Sequence, residues 1–87
     1  MSNTTWRKEI EGAIIGSGDN ILNNFVCTLS EAELDVEFNN GFGQTKGAPF
    51  TAWTDDYVYF PIEYDGSEWC GSVPRNPNGN ATWHQGG

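Results

Sequence analysis

The dipeptide Asp65-Gly66, set between the aromatic-rich run Val58-Tyr59-Phe60-Pro61-Ile62-Glu63-Tyr64 and Ser67-Glu68-Trp69, constrains this chain more than any other feature. Asp-Gly between two strand-like runs is a two-residue hairpin signal, because both central positions of a type I′ turn need positive φ. A two-residue loop leaves one register: Tyr64 opposite Ser67, Glu63 opposite Glu68, Ile62 opposite Trp69, Phe60 opposite Gly71 and Val58 opposite Val73. Asp55-Asp56 serves as the preceding turn and sets Thr54 against Tyr57 and Trp53 against Val58. Alternation then collects Trp53, Val58, Phe60, Ile62, Tyr64, Trp69 and Val73 on one face, which is the expected core face. Pro61 has no amide for a ladder. In this register position 61 points toward the preceding strand, so pairing on that side need only end near Phe50, beside Pro49.

Upstream the period changes. Thr4 or Thr5 can cap a helix whose Trp6, Ile10, Ala13 and Ile14 share one stripe, with Gly16 and Gly18 ending it. Ile21 to Leu29 also carries helical spacing and is read as a helix, although its Asn pair and Phe-Val-Cys-Thr run prefer other states and leave a strand open. Ser30-Glu31-Ala32-Glu33 is a capping box, with Leu29 and Leu34 in the staple positions, and it predicts a helix from Glu31 to Phe38 stopped by Asn40-Gly41. The expectation is an α+β fold in which two or three short N-terminal helices pack on one face of a three-stranded antiparallel meander. It divides one small domain, 1–87, into a helical part (1–38), a Gly-rich connector (39–49), a β-meander (50–73) and a coil tail (74–87). The tail is ordered only if Trp83 docks on the sheet. Gly41, Gly43 and Gly47 neither follow a strand nor open a helix, which excludes a phosphate-binding loop.

Composition narrows the function classes. In 87 residues, 12 Asp+Glu against 4 Lys+Arg give a net charge of −8, while 14% aromatic content supports a packed core. A phosphate backbone is repelled by such a chain, so direct nucleic-acid binding is not expected. Two Cys and one His, without Cys-x-x-Cys or His-x-x-x-His spacing, do not make a structural zinc site. Asp55-Asp56 and Asp65-Gly-Ser-Glu68 are too short for a calcium loop. Cys27 and Cys70 read as reduced thiols. A nucleophilic cysteine would need His84, on a tail with no anchor but Trp83, and a domain this small builds no groove for a glycosidase pair. No enzyme activity and no cofactor are expected. The start lacks an apolar signal-peptide stretch and no window approaches a membrane span, so the expected location is the cytoplasm, without membrane contact.

The acids themselves are the candidate site. Glu31, Glu33, Asp35 and Glu37 crowd one short helix; the first two suit a helix N-terminus, whereas Glu37 lies at the wrong end for the dipole. Glu63 directly opposite Glu68 places like charges in a cross-strand pair, which is unfavourable by up to about 1 kcal/mol. An ordinary reading is a charged edge guarded against aggregation. The functional reading is a docking surface for Arg and Lys, in which Glu31, Asp35, Glu37, Asp55, Asp56, Glu63, Asp65 and Glu68 supply charge and Tyr57 and Tyr59 supply ring contact.

The block from Phe50 to Pro77, with FTAWT, VYFP, YDGSEW and SVPRNP as its parts, resembles small proteins of no assigned activity encoded by tailed bacteriophages. The resemblance covers about a third of the chain and supplies no catalytic residue. It implies a phage accessory protein acting in the bacterial host cytoplasm, where small acidic proteins are similar to inhibitors of nucleases and CRISPR effectors. The leading expectation is therefore a non-enzymatic, nucleic-acid-mimicking inhibitor that occupies a basic surface on a host nuclease, CRISPR effector or polymerase subunit. The alternative is a structural or assembly module of a virion or larger complex. Sugar recognition by exposed Trp is a third class, disfavoured because the register places Trp53 and Trp69 on the expected core face.

Overall fold

A computed structural model describes residues 3–20, 24–39, 47–64, 66–77, 79–82 and 84. Several expected features lie outside these residues: Ile21 and Leu22, the Asn40-Gly41 stop, Gly41 and Gly43, Asp65 of the hairpin turn, and the docking of Trp83.

In chain order the elements are β1 (Asn3–Thr4), α1 (Trp6–Ser17), β2 (Val26–Cys27), α2 (Glu31–Leu34), β3 (Phe38–Asn39), β4 (Ala52–Trp53), β5 (Tyr57–Tyr64) and β6 (Ser67–Pro74). They form a two-stranded sheet, β1-β3, and a four-stranded sheet in the order β2-β4-β5-β6. The hairpin has the register that a two-residue turn dictates, from Tyr64↔Ser67 through Ile62↔Trp69 to Val58↔Val73. Gly66 takes φ 84°, the left-handed conformation such a turn requires. β4 pairs only Ala52↔Tyr59 and Trp53↔Val58, so the ladder on that side stops before Pro61 would have to donate.

α1 begins where Thr5 accepts the Lys8 amide at 3.2 Å and ends at Gly18, φ 81°, whose amide reaches the carbonyls of Ile14 and Ile15. Its stripe of Trp6, Ile10 and Ile14 is buried. The capping box forms in full: Ser30 Oγ accepts from the Glu33 amide at 3.1 Å, and the Ser30 amide donates to Glu33 at 2.8 Å.

The expected fold class is not found. Among the described residues strands dominate, six of them in two sheets, with two helices of which only α1 exceeds one turn. Three corrections account for the difference. The segment expected to be helical over Ile21 to Leu29 contributes Val26–Cys27 as a strand on β4, extended by Thr28 N–H donating to Thr51 O at 3.0 Å. Its Phe-Val-Cys-Thr sequence has β-branched and aromatic side chains that suit an extended backbone better than a helix. The helix from Glu31 ends at Leu34, and Phe38 instead pairs with Thr4 in the small sheet. The gain there is aromatic: the Phe38 ring lies 4.8 Å from Trp6.

The third correction concerns which face of the large sheet is covered. The core consists of Trp6, Ile10, Ile14, Leu34, Phe50, Ala52 and Tyr59, with Cys27, Cys70 and Tyr57 packed against it. On the sheet these are the residues of the face opposite to the expected one. α1 needs a surface into which Ile10 and Ile14 can sink, and Ala52, Cys27 and Cys70 are small enough to allow it. Tyr59, fully buried, is satisfied there because Ser17 and Asp19 at the end of α1 meet its hydroxyl at 3.0 and 2.8 Å. The face of Trp53, Phe60 and Trp69 is too bulky to accept a helix at that distance, and it turns outward.

Candidate docking surface

That outward face is built by simple alternation. With β5 and β6 in register and β4 and β2 alongside, it carries Val26, Trp53, Val58, Phe60, Ile62, Tyr64, Ser67, Trp69, Gly71 and Val73. None of these carries a charge, in a chain whose net charge is −8. None belongs to the core cluster under α1. Tyr64 is 56% exposed, Val26 53% and Trp69 37%. Trp53, Val58, Phe60 and Val73 are half-buried. Ile62 is buried because it leans, with Phe60, over Gly71; a Cβ at residue 71 would stand 2.9 Å from Phe60 Cε2. Glycine there lets the face pack itself flat. Single exposed apolar side chains are ordinary on a soluble surface, but a contiguous uncharged aromatic sheet face marks an interaction surface.

The carboxylates expected to form a docking patch are distributed differently. Glu31 and Asp35 both engage Arg7 of α1, Asp35 at 2.7 Å. This pins α2 to the helix and holds the Asp35 carboxyl below its usual range through the Arg7 hydrogen bond. Glu63 and Glu68 are directly opposite each other, and their repulsion is relieved because each carboxylate finds a backbone donor. Glu63 accepts from the Gly66 amide at 2.7 Å and Glu68 from the Gly47 amide at 2.9 Å. Glu68 is 3% exposed and Tyr59 is fully buried, so neither presents a surface to a partner. Tyr57 is half-buried, its ring 6.3 Å from that of Tyr59. Asp65 lies outside the described residues. Glu37, Asp55 and Asp56 are exposed.

The structure thus brings together Glu31 with Asp35, Asp55 with Asp56, and Glu63 with Glu68, but not the set as a whole. Asp55-Asp56 and Glu63 stand at opposite ends of β5, roughly 25 Å apart at about 3.3 Å per strand residue.

A second polar cluster is absent from the sequence reading. Asp19, just past the α1 cap, accepts from Thr54 Oγ1 at 2.6 Å and from the Tyr59 hydroxyl at 2.8 Å, and Ser17 Oγ stands 3.0 Å from the same hydroxyl. Burial pushes the Tyr59 phenol well above its ordinary pKa, keeping it a hydrogen-bond donor. A buried tyrosine needs a partner. That rule points to this cluster only once Tyr59 is placed on the core face.

Cys27 and Cys70 are free thiols, and burial pushes Cys70 up to about 12, the opposite of an activated nucleophile. Among the described residues no group of three or more His, Cys, Asp or Glu stands close enough to hold a metal ion. No helix among them is long and apolar enough to cross a membrane. An open groove of about 830 Å³ runs between α1 and β2, lined by Ile14, Ile15, Phe25 and Leu29 with Arg7 and Glu11 at its rim. Arg7 is committed to α2, so among the described residues the groove's lining offers no free cation. Neither a protein-family model, a curated protein nor a solved structure matches this chain.

Proposed function

We propose that this chain is a non-enzymatic structural or assembly module that joins other protein through the uncharged aromatic face of its four-stranded sheet. One observation carries the reading: α1 covers the small-residue face and leaves Trp69, Tyr64, Val26 and their neighbours outward, with no charged residue on that face among the described residues. Depletion of charge and enrichment of Tyr, Trp and Phe at the centre, with polar groups at the edge, is the make-up of interface cores. Asp55 and Asp56 at one end of β5 and Glu63 at the other supply such an edge.

The acidic inhibitor of a basic nucleic-acid-handling host protein stands as the second reading. It draws support from the net charge of −8 and the exposed pair Asp55-Asp56. It loses support from Glu31, Asp35, Glu63 and Glu68, whose carboxylates are engaged within the molecule. The setting implied by the resemblance, a phage protein in a bacterial host, is compatible with both.

Capture on the immobilised chain, from lysate of bacteria that also express a soluble copy of the chain, separates them. Assembly through the sheet predicts capture that survives a rise from about 0.05 to about 0.5 M salt and is lost in Trp69→Lys. Charge mimicry predicts capture that disappears at high salt and in Asp55→Asn/Asp56→Asn but persists in Trp69→Lys. The second pattern refutes the assembly reading.

A further inference from the structure

We infer that the occupant of the aromatic face is a second copy of this chain, the two sheets packing face to face with the helices outside. The inference rests on the assembly reading and deepens it. The complement of this surface must be uncharged and apolar, and the surface itself is one such complement. A twofold pairing sets identical patches against each other, so an uncharged face satisfies both sides at once. For a basic partner the same face is a poor match, since among the described residues no carboxylate stands on it to meet a Lys or Arg. Charge also limits where two such molecules can meet. Each copy is at −8, so most approaches bring carboxylates together, on α2 or at the β4–β5 turn. Sheet-to-sheet contact keeps α2 and its acids in the outer layers.

Size sets the strength. Eight-residue strands at about 3.3 Å per residue, with four strands about 4.8 Å apart, bound the sheet at roughly 26 by 19 Å. Since β2 and β4 are each 2 residues long, the usable footprint is on the order of 400 Å² per copy. A pair then buries on the order of 800 Å² in all, below the roughly 1,200–2,000 Å² of stable specific interfaces and in the range of weak, transient ones. The result is a weak, reversible dimer rather than an obligate one.

Salt distinguishes this pairing from contacts made by charge. Packed sheets are about 10 Å apart, close to the Debye length of about 10 Å at 0.1 M salt. Screening therefore removes repulsion between the copies while leaving apolar burial intact. Sedimentation velocity from low micromolar to about 1 mM protein, at low and high salt, is the test. The expected result is a monomer–dimer equilibrium that strengthens as salt rises. Trp69→Lys and, separately, Tyr64→Lys should weaken it at least tenfold with near-ultraviolet circular dichroism unchanged. Tyr64, at 56% exposure, is the variant that retains its fold most readily. A monomer at the highest concentration in both salts overturns the inference, as does a dimer that weakens with salt or ignores both substitutions. If the chain stays monomeric while lysate capture still depends on Trp69, pairing with itself is overturned and the assembly reading stands. If it pairs through Trp69 while lysate capture follows Asp55 and Asp56, the pairing stands and the assembly reading fails.

Discussion

Removing the Asp19 carboxylate should destabilise this molecule more than removing any exposed acid. Asp19 is 9% exposed and accepts from Thr54 Oγ1 at 2.6 Å and from Tyr59 Oη at 2.8 Å. Each bond to a charged acceptor is worth about 1.5–3 kcal/mol. Two corrections reduce the sum in Asp19→Ala. The Tyr59 hydroxyl keeps Ser17 at 3.0 Å, and Thr54 Oγ1 still accepts from the Asp56 and Tyr57 amides at 3.3 and 3.2 Å. Deleting the carboxylate also removes the unfavourable burial of its charge. The net expectation is a loss of about 3 kcal/mol, a large share of the roughly 5–15 kcal/mol typical of a domain. In a domain of this size that corresponds to a fall in Tm of roughly 12–24 °C. Urea unfolding followed by tryptophan fluorescence reads it directly, with an unchanged m value showing that the endpoints are the same. Tyr59→Phe supplies the control: if the cluster acts as a unit, the double variant loses at least ~1 kcal/mol less than the two single losses combined. A loss below about 1 kcal/mol for Asp19→Ala, or simple additivity, would refute the reasoning.

Three further outcomes follow from other parts of the fold. Gly47→Ala should cost about 1–3 kcal/mol in urea unfolding, because its Cβ would stand 2.6 Å from Trp6 Cζ2 and 2.9 Å from Glu68 Oε1; a neutral result would mean that the segment moves away freely. In a Cys27→Ser background, Cys70 at pH 8 should react with an aromatic disulfide on the order of 10³-fold more slowly folded than in denaturant. Its thiol is pushed up to about 12 by burial, whereas an exposed cysteine titrates near ~8.5. Hydrogen bonds from Ser30 hold the Glu33 carboxyl below its ordinary pKa in the folded chain. Its contribution is therefore present above the usual carboxylate range and lost as pH falls through it. Glu33→Gln should flatten part of the decline in urea midpoint between about pH 5 and pH 3, and an unchanged slope would contradict the role of the capping box.

What could be read in the sequence was whatever rests on neighbours along the chain. The Asp65-Gly66 turn sets a register that Pro61 tolerates, and Ser30 with Glu33 starts a helix; both depend on atoms a few residues apart. What could not be read depended on distant choices. Alternation separates β5 and β6 into two faces without saying which is covered, since Tyr59, Pro61 and Cys70 are as plausible inside as Phe60, Ile62 and Trp69. The decision rests with Ile10 and Ile14, which need a shallow surface, and with Asp19, whose carboxylate meets the Tyr59 hydroxyl. Likewise Glu31 and Asp35 look free on a helix drawn alone, and only the docking of α1 reveals Arg7 between them. Alternation groups the aromatic face as a set, but the structure turns that set outward, and with it the candidate surface moves from carboxylates to rings.

Trp6 joins parts of the chain that are far apart in sequence. Its ring lies 4.8 Å from both Phe38 and Phe50, and its indole N–H donates to the Ala48 carbonyl at 3.0 Å across 42 residues. The hairpin, by contrast, closes over two residues. Contacts of long sequence separation form only after a large loop has been closed, and such closures set the pace of folding in small proteins. The expected pace of refolding is therefore set by the meeting of residue 6 with residues 48 and 50, which the two-residue closure of the β5–β6 hairpin does not depend on.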